Sequence, residues 1–131
     1  MKTEKLQLNI TLPVSPENLY KDWLDSKQHS KFTGGKAKIQ AKINSRYSAW
    51  DGYITGKILE LDPGKRILHT WRTSEFAKGA EDSILEITFS KKGKGTQLTL
   101  NHSNLQPGDG KKYKQGWKEF YLEPMKKHFK K

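Results

Sequence analysis

From Tyr113 to Phe129 an aromatic residue or methionine recurs at every fourth position: Tyr113, Trp117, Tyr121, Met125 and Phe129, with Phe120 alongside. Such spacing gives a helix one broad apolar stripe. The helix it predicts runs for about 20 residues, roughly 30 Å. Lys111, Lys112, Lys118 and Lys126 project largely the other way. A stripe of large rings needs an equally broad apolar surface to cover it, and the residues between Ala37 and His102 can supply one as a sheet. Pro124 removes a backbone donor and crowds the turn before it, so a kink is expected there. Leu122 falls on the lysine side of an ideal helix; either the kink rotates it or it stays exposed.

The strand signals are clear. Residues 51–71, DGYITGKILELDPGKRILHTW, read as two long strands, Tyr53 to Leu61 and Arg66 to Arg72, joined through Asp62-Pro63-Gly64. Proline fixes φ at the second turn position, and glycine tolerates the positive φ of the third. Asp51-Gly52 is a hairpin signal that pairs the Tyr53 strand with Arg46 to Trp50. Leu6, Leu8, Ile10 and Leu12 alternate with polar residues, as do Ala37, Ile39, Ala41 and Ile43, then Leu85, Ile87 and Phe89, then Leu98, Leu100 and His102. Between the first strand and the rest, Ser15-Pro16 opens a helix with Leu19, Tyr20, Trp23 and Leu24 on one side. A shorter helix or turn over Ser26 to Phe32 ends at Gly34-Gly35. The expectation is an α+β fold: a curved antiparallel sheet of about seven strands wrapped around a long C-terminal helix, with one or two short helices after the first strand. The 131 residues are read as one domain, 1–131.

Composition narrows the function. There is no cysteine, which excludes disulfides, thiolate metal sites and a cysteine nucleophile. No stretch approaches the roughly 20 apolar residues of a membrane span, and the N-terminus lacks a signal-type apolar run, so a cytoplasmic protein is expected. The net charge is +11, and residues 111–131 contribute +6 of it, with eight lysines against two glutamates. The basic surface of Lys111, Lys112, Lys118 and Lys126 can attract polyanions or an acidic protein surface. It reads equally as a solvated helix face.

Strand, helices, strands and a long last helix, in that order, resemble the helix-grip fold of the START and birch-pollen-allergen superfamily, SRPBCC. Within it the chain resembles homologues of the activator of heat-shock protein 90 ATPase. The residues that carry this are Ser15-Pro16, Phe32-Thr33, Asp51-Gly52 leading to Thr55-Gly56, Asp62-Pro63 with Lys65-Arg66-Ile67, and Trp71-Arg72. Thr96 through Leu100 and Gly116-Trp117 with Tyr121, Glu123-Pro124 and Phe129 complete the set. The resemblance covers essentially the whole chain and is nearest to the activator's C-terminal domain; 131 residues leave no room for the separate N-terminal domain of the eukaryotic activator. It implies a stress-response, chaperone-associated module, a partner of the heat-shock protein 90 type, and a cavity able to hold a small hydrophobic ligand.

The residues offer three classes of function. The first is noncatalytic binding. Trp50, Tyr53, His69 and Trp71 from the sheet can face Trp117, Phe120 and Tyr121 from the helix, giving an apolar space with a few hydroxyl and indole donors. The same rings can simply fill the core. The second is an enzyme of the cyclase or hydrolase type found elsewhere in the superfamily, which would need an inward acid/base pair among His69, His102, Glu60 and Glu86. No nucleophile elbow, phosphate loop or metal-ligand spacing is present, so no catalytic residue, metal or cofactor is assigned. The third is nucleic-acid binding through the basic helix; with no recognised module, no specific nucleic-acid partner is expected.

Overall fold

The structure is a computed structural model describing residues 3–76 and 78–129. Six strands, β1 (Glu4–Leu12), β2 (Arg46–Ala49), β3 (Ile54–Asp62), β4 (Arg66–Thr73), β5 (Ser83–Lys92) and β6 (Gly95–Leu105), form one curved antiparallel sheet in the order β1-β6-β5-β4-β3-β2. Alternation along each strand sends one set of side chains to a common face. Leu6, Leu8, Ile10 and Leu12 of β1, Ile67 and Trp71 of β4, Leu85, Ile87 and Phe89 of β5, and Leu98 and Leu100 of β6 are all buried there.

Helices α1 (Pro16–Leu24) and α2 (Ser26–Thr33) cover part of that face. Their ends follow from capping. The Asn18 N–H donates to Ser15 Oγ at 3.3 Å, with Pro16 in the first turn. The Gln28 N–H donates to Asp25 Oδ1 at 3.0 Å. Leu19, Trp23 and Phe32 enter the core, and α2 stops at Gly34, whose φ of 88° favours a residue without a Cβ.

The expected strand over Ala37 to Ile43 does not form, so the sheet has six strands rather than about seven. Only Lys38 makes a bridge, to Ser48. The chain turns instead of staying extended: the Lys42 N–H donates to the Gln40 carbonyl at 2.7 Å and the Ser45 N–H to the Lys42 carbonyl at 3.1 Å. Ser30 Oγ accepts the Ala37 N–H at 2.8 Å and Ser26 Oγ accepts the Ile39 N–H at 2.7 Å, while Ser26 donates back to the Ile39 carbonyl at 3.0 Å. Because Lys38 exchanges both its backbone bonds with Ser48, these serine bonds hold the edge of the segment that faces away from β2 and tie it to α2. Ile43, left beyond this tether, is exposed.

The C-terminal helix is continuous but not uniform. α3 (Asp109–Trp117) and α4 (Glu123–His128) are joined by a π turn over Lys118–Leu122. The Glu123 N–H donates to the Lys118 carbonyl, five residues back. Pro124, at the start of α4, has no N–H to continue the ordinary ladder, so the irregularity sits where proline places it. On an uninterrupted α-helix Leu122 would lie about 140° from Trp117; closing the turn five residues apart swings it back, and Leu122 is buried. Tyr113, Trp117, Tyr121 and Met125 are buried with it. At the helix start, the Gly110 N–H donates to Glu4 Oε1 at 2.9 Å, tying α3 to β1.

If the π turn places Leu122 in the core, Leu122→Ala should cost about 2–5 kcal/mol, the range for a buried leucine. Chemical denaturation measures it. A loss near zero would mean an unbroken α-helix with Leu122 at the surface.

Candidate functional site

Between the last helix and the β2–β3 end of the sheet lies a cavity of about 460 Å3. Trp50 and Tyr53 come from the β2–β3 connection, Ile54 from the start of β3, Trp71 from β4, and Tyr113, Gly116, Trp117, Phe120 and Tyr121 from the helix. Six of the seven aromatic and histidine candidates therefore border one space. The seventh, His69, does not; it borders a separate void of about 20 Å3 beside Tyr47 and Ile58.

The helix side is positioned by a chain of hydrogen bonds that ends in the sheet. An indole N–H can only donate, so Trp117 Nε1 gives its proton to His102 Nδ1, 3.0 Å away. His102 must then carry its own proton on Nε2, which faces Ser83 Oγ at 2.7 Å; Ser83 in turn donates to the Trp71 carbonyl at 2.7 Å. All three side chains are buried, and burial holds the His102 pKa down to about 3. Edge contacts reinforce the set. Trp71 meets His102 at 4.5 Å and 81°, and Tyr113 at 5.0 Å and 80°.

A second buried imidazole holds the next turn. His29 Nδ1 donates to the Trp23 carbonyl at 2.8 Å, leaving Nε2 to accept from Tyr121 Oη at 2.9 Å. Burial lowers the His29 pKa to about 4 and pushes the Tyr121 hydroxyl up. His69, whose Nδ1 donates to the Thr70 carbonyl at 2.8 Å, is likewise lowered to about 4 by burial. These imidazoles are neutral struts at neutral pH.

Trp50 is held differently. It has φ 52°, a left-handed value uncommon for a bulky residue, and is followed by Asp51 at 57° and Gly52 at 90°. Its indole lies against Gly35, where a Cβ would come within 2.4 Å of the ring; only glycine admits that approach. Trp50 also meets Phe120 edge to face at 5.6 Å. Yet Trp50 Nε1 is buried without a hydrogen-bond partner in the protein, an arrangement that costs about 1–3 kcal/mol.

The cavity mouth is polar. Tyr53 Oη donates to Glu75 Oε2 at 2.6 Å, and Lys112 Nζ donates to the other oxygen of the same carboxylate. Lys112 and then Tyr53 hold the Glu75 carboxyl below its ordinary range; burial and the bond to Glu75 push the Tyr53 hydroxyl up to about 12. The mouth thus joins the β2–β3 connection, the β4–β5 loop and α3 through one carboxylate. Lys111, Lys118 and Lys126 are exposed, as is Lys112, but Lys112 faces the cavity rather than standing apart as a free charge.

The acid/base alternative finds no geometry. Glu60 and Glu86 are both bound by Arg66, at 2.6 Å each. Glu86 alternates with buried Leu85 and Ile87, so it points to the opposite side of the sheet from His69 and His102. Among the described residues no group of three or more histidine, aspartate or glutamate side chains could hold a metal ion, and no helix is long and apolar enough to cross a membrane.

Sequence reasoning missed Glu75, Gly35, Ser83 and His29. Tyr113 was within reach, since it belongs to the four-residue stripe. Glu75 lies in a polar loop without periodicity, and Gly35 reads only as a helix stop; nothing local marks either.

A sequence model of the family described as activator of Hsp90 ATPase homolog 1-like protein matches residues 13–130. The activators of 90 kDa heat shock protein ATPase homolog 1 from Mus musculus and Homo sapiens are each 28% identical over 127 residues. That is 97% of this chain but 37% of theirs, so the chain spans little more than a third of those relatives. Among solved structures, an HSP90 activator from Plasmodium falciparum superposes with a TM-score of 0.84 at 22% identity, covering 95% of this chain and 94% of that one. The Aha1 dimer from Colwellia psychrerythraea gives 0.79 at 14% identity, covering 97% of each.

Because His29, His69 and His102 are neutral when folded, with pKa values below the ordinary 6.5, the unfolded chain binds more protons between about pH 4 and 6.5. Their contribution to stability is complete above pH 6.5 and is lost as pH falls through that window. Replacing His102 with Gln, which can still accept from Trp117, should flatten the pH dependence by up to about 1.4 kcal/mol per pH unit. Denaturation at pH 4.5, 5.5 and 7 measures it; an unchanged slope would mean His102 is protonated in the fold.

Proposed function

The chain belongs to the activator of Hsp90 ATPase homolog 1-like family, and on that premise we propose that it is a noncatalytic, chaperone-associated module whose cavity receives a small hydrophobic ligand. The observation that carries the ligand reading is the cavity itself. A space of about 460 Å3 walled by Trp50, Trp71 and Trp117 lies within the usual 300–1,000 Å3 of small-molecule sites, with the usual apolar lining and few polar groups. The chaperone reading rests on the family match and on the names of the relatives. The exposed lysines of the last helix give it a surface suited to an acidic partner, with charge setting the encounter and shape the specificity.

Gly116 offers a clean test of the ligand reading. It borders the cavity, and a Cβ added there meets nothing within 4 Å. Gly116→Leu should therefore intrude on the cavity while strengthening the helix by about 0.5–1 kcal/mol. Native mass spectrometry of freshly purified protein should find an apolar compound retained by the wild type and absent from the variant, whose melting temperature is unchanged or higher. A wild type that retains nothing, and takes up no apolar probe, would sink the ligand reading.

The chaperone reading is tested by calorimetric titration against a purified heat-shock protein 90 and against random duplex DNA, at about 50 mM and 200 mM salt. Binding to the chaperone should survive the higher salt. Attraction to DNA should fall steeply, because it comes from counterion release. Salt-resistant DNA binding with no chaperone binding would reverse the assignment.

A further inference from the structure

The last helix is strongly basic, yet it turns a carboxylate rather than a spare ammonium towards the cavity. Among its described residues, six lysines stand against two glutamates, Glu119 and Glu123. Of these eight charges only Lys112 and Glu119 border the cavity, where they are joined by Glu75 from the β4–β5 loop. The three are not equivalent. Lys112 is committed: its Nζ donates to Glu75 and lies 5.1 Å from the centre of the Tyr113 ring. Glu75 is committed too, since its second oxygen accepts from Tyr53. Glu119 joins no ion pair among the described residues, and it accepts there only from the uncharged amide of Gln115, at 2.8 Å.

Lys112 shows how this mouth receives an ammonium group: a carboxylate takes the charge and an aromatic face lies beside it. Glu119 brings the same kind of group, a carboxylate in a lining made mostly of rings, with no protein cation to answer it. The lining thus carries one surplus negative charge, which favours a cationic end group and works against a carboxylate or phosphate. Glu119 is exposed, and that suits a molecule with two unlike ends. An ammonium is costly to bury and stays at the wet rim, while the apolar body it is attached to goes in. Resting on the cavity reading above, we propose that the ligand is an amine, protonated at neutral pH, whose apolar body occupies the cavity and whose ammonium group pairs with Glu119 at the mouth.

Octylammonium, octan-1-ol and octanoate test this, because they share one chain and differ in the charge of the head group. Calorimetric titration at about 50 mM salt should give the ammonium about fivefold tighter than the alcohol, the upper end for an ion pair open to water, and octanoate weakest. At about 500 mM salt the ammonium's advantage should fall by half or more, because charges at the rim are screened. Two variants at exposed positions should move the advantage in opposite directions. In Glu119→Gln, which can still accept from Gln115, it should vanish. In Lys112→Gln, which can still donate to Glu75 but no longer neutralises it, the advantage should widen. Equal affinities for the three head groups, octanoate binding tightest, or an advantage that survives Glu119→Gln or shrinks in Lys112→Gln would each overturn the proposal while leaving the cavity reading intact. If none of the three compounds binds, the cavity reading falls and takes this proposal with it.

Discussion

The fold depends on one buried hydrogen bond, from the Trp117 indole to His102. A sheet face covered by a helix is held mainly by nonspecific apolar contact, which tolerates sliding and rotation. A donor that can only donate, facing an imidazole nitrogen that must accept, fixes one rotation and one height. Ser83 and the Trp71 carbonyl continue the constraint into β5 and β4. With Trp117 set, Tyr113 and Tyr121 are set a turn away on either side, and each finds its own buried partner, Thr73 and His29. The cavity is what remains between a helix so located and the β2–β3 connection.

This explains why polar residues occupy a face otherwise made of leucine and isoleucine. His69, Thr73, Ser83 and His102 stand in inward positions of β4, β5 and β6, where an unmatched polar atom would be costly. His102 and Ser83 complete the Trp117 relay, and Thr73 meets Tyr113. In sequence alone they look like the makings of acid/base chemistry. In the fold the imidazoles are neutral and committed to structural partners, while the carboxylates that would complete a catalytic pair are bound to Arg66 on the other side of the sheet.

Much of the architecture was legible because its signals are local and periodic. The four-residue stripe specified the last helix, Ser15-Pro16 began α1, and the turn residues at Asp62-Pro63-Gly64 and Asp51-Gly52 punctuated the strands. Ala37 to Ile43 misled because alternation describes side chains, whereas a ladder needs backbone that stays extended, and here the chain turns at Gln40 and again at Lys42. The aromatic members of the cavity could be named because they lie on those periodic elements. Its polar rim could not, since Glu75 reaches Tyr53 and Lys112 only through tertiary proximity. Leu122 was ambiguous for a related reason: an ideal helix has one phase, and this helix has two.

That change of phase reaches the outer surface too. Lys111 and Lys118 are seven residues apart, two turns of an α-helix and close to one line. Lys126 follows Lys118 by eight, which would carry it well off that line. The π turn over Lys118–Leu122 absorbs one residue, so the second interval behaves as seven. The three exposed ammonium groups thus form a single file, with successive members about 10 Å apart along the axis. To a partner lying alongside, the last helix presents a ruled edge of evenly spaced charge, and its spacing is set by the same irregularity that buries Leu122.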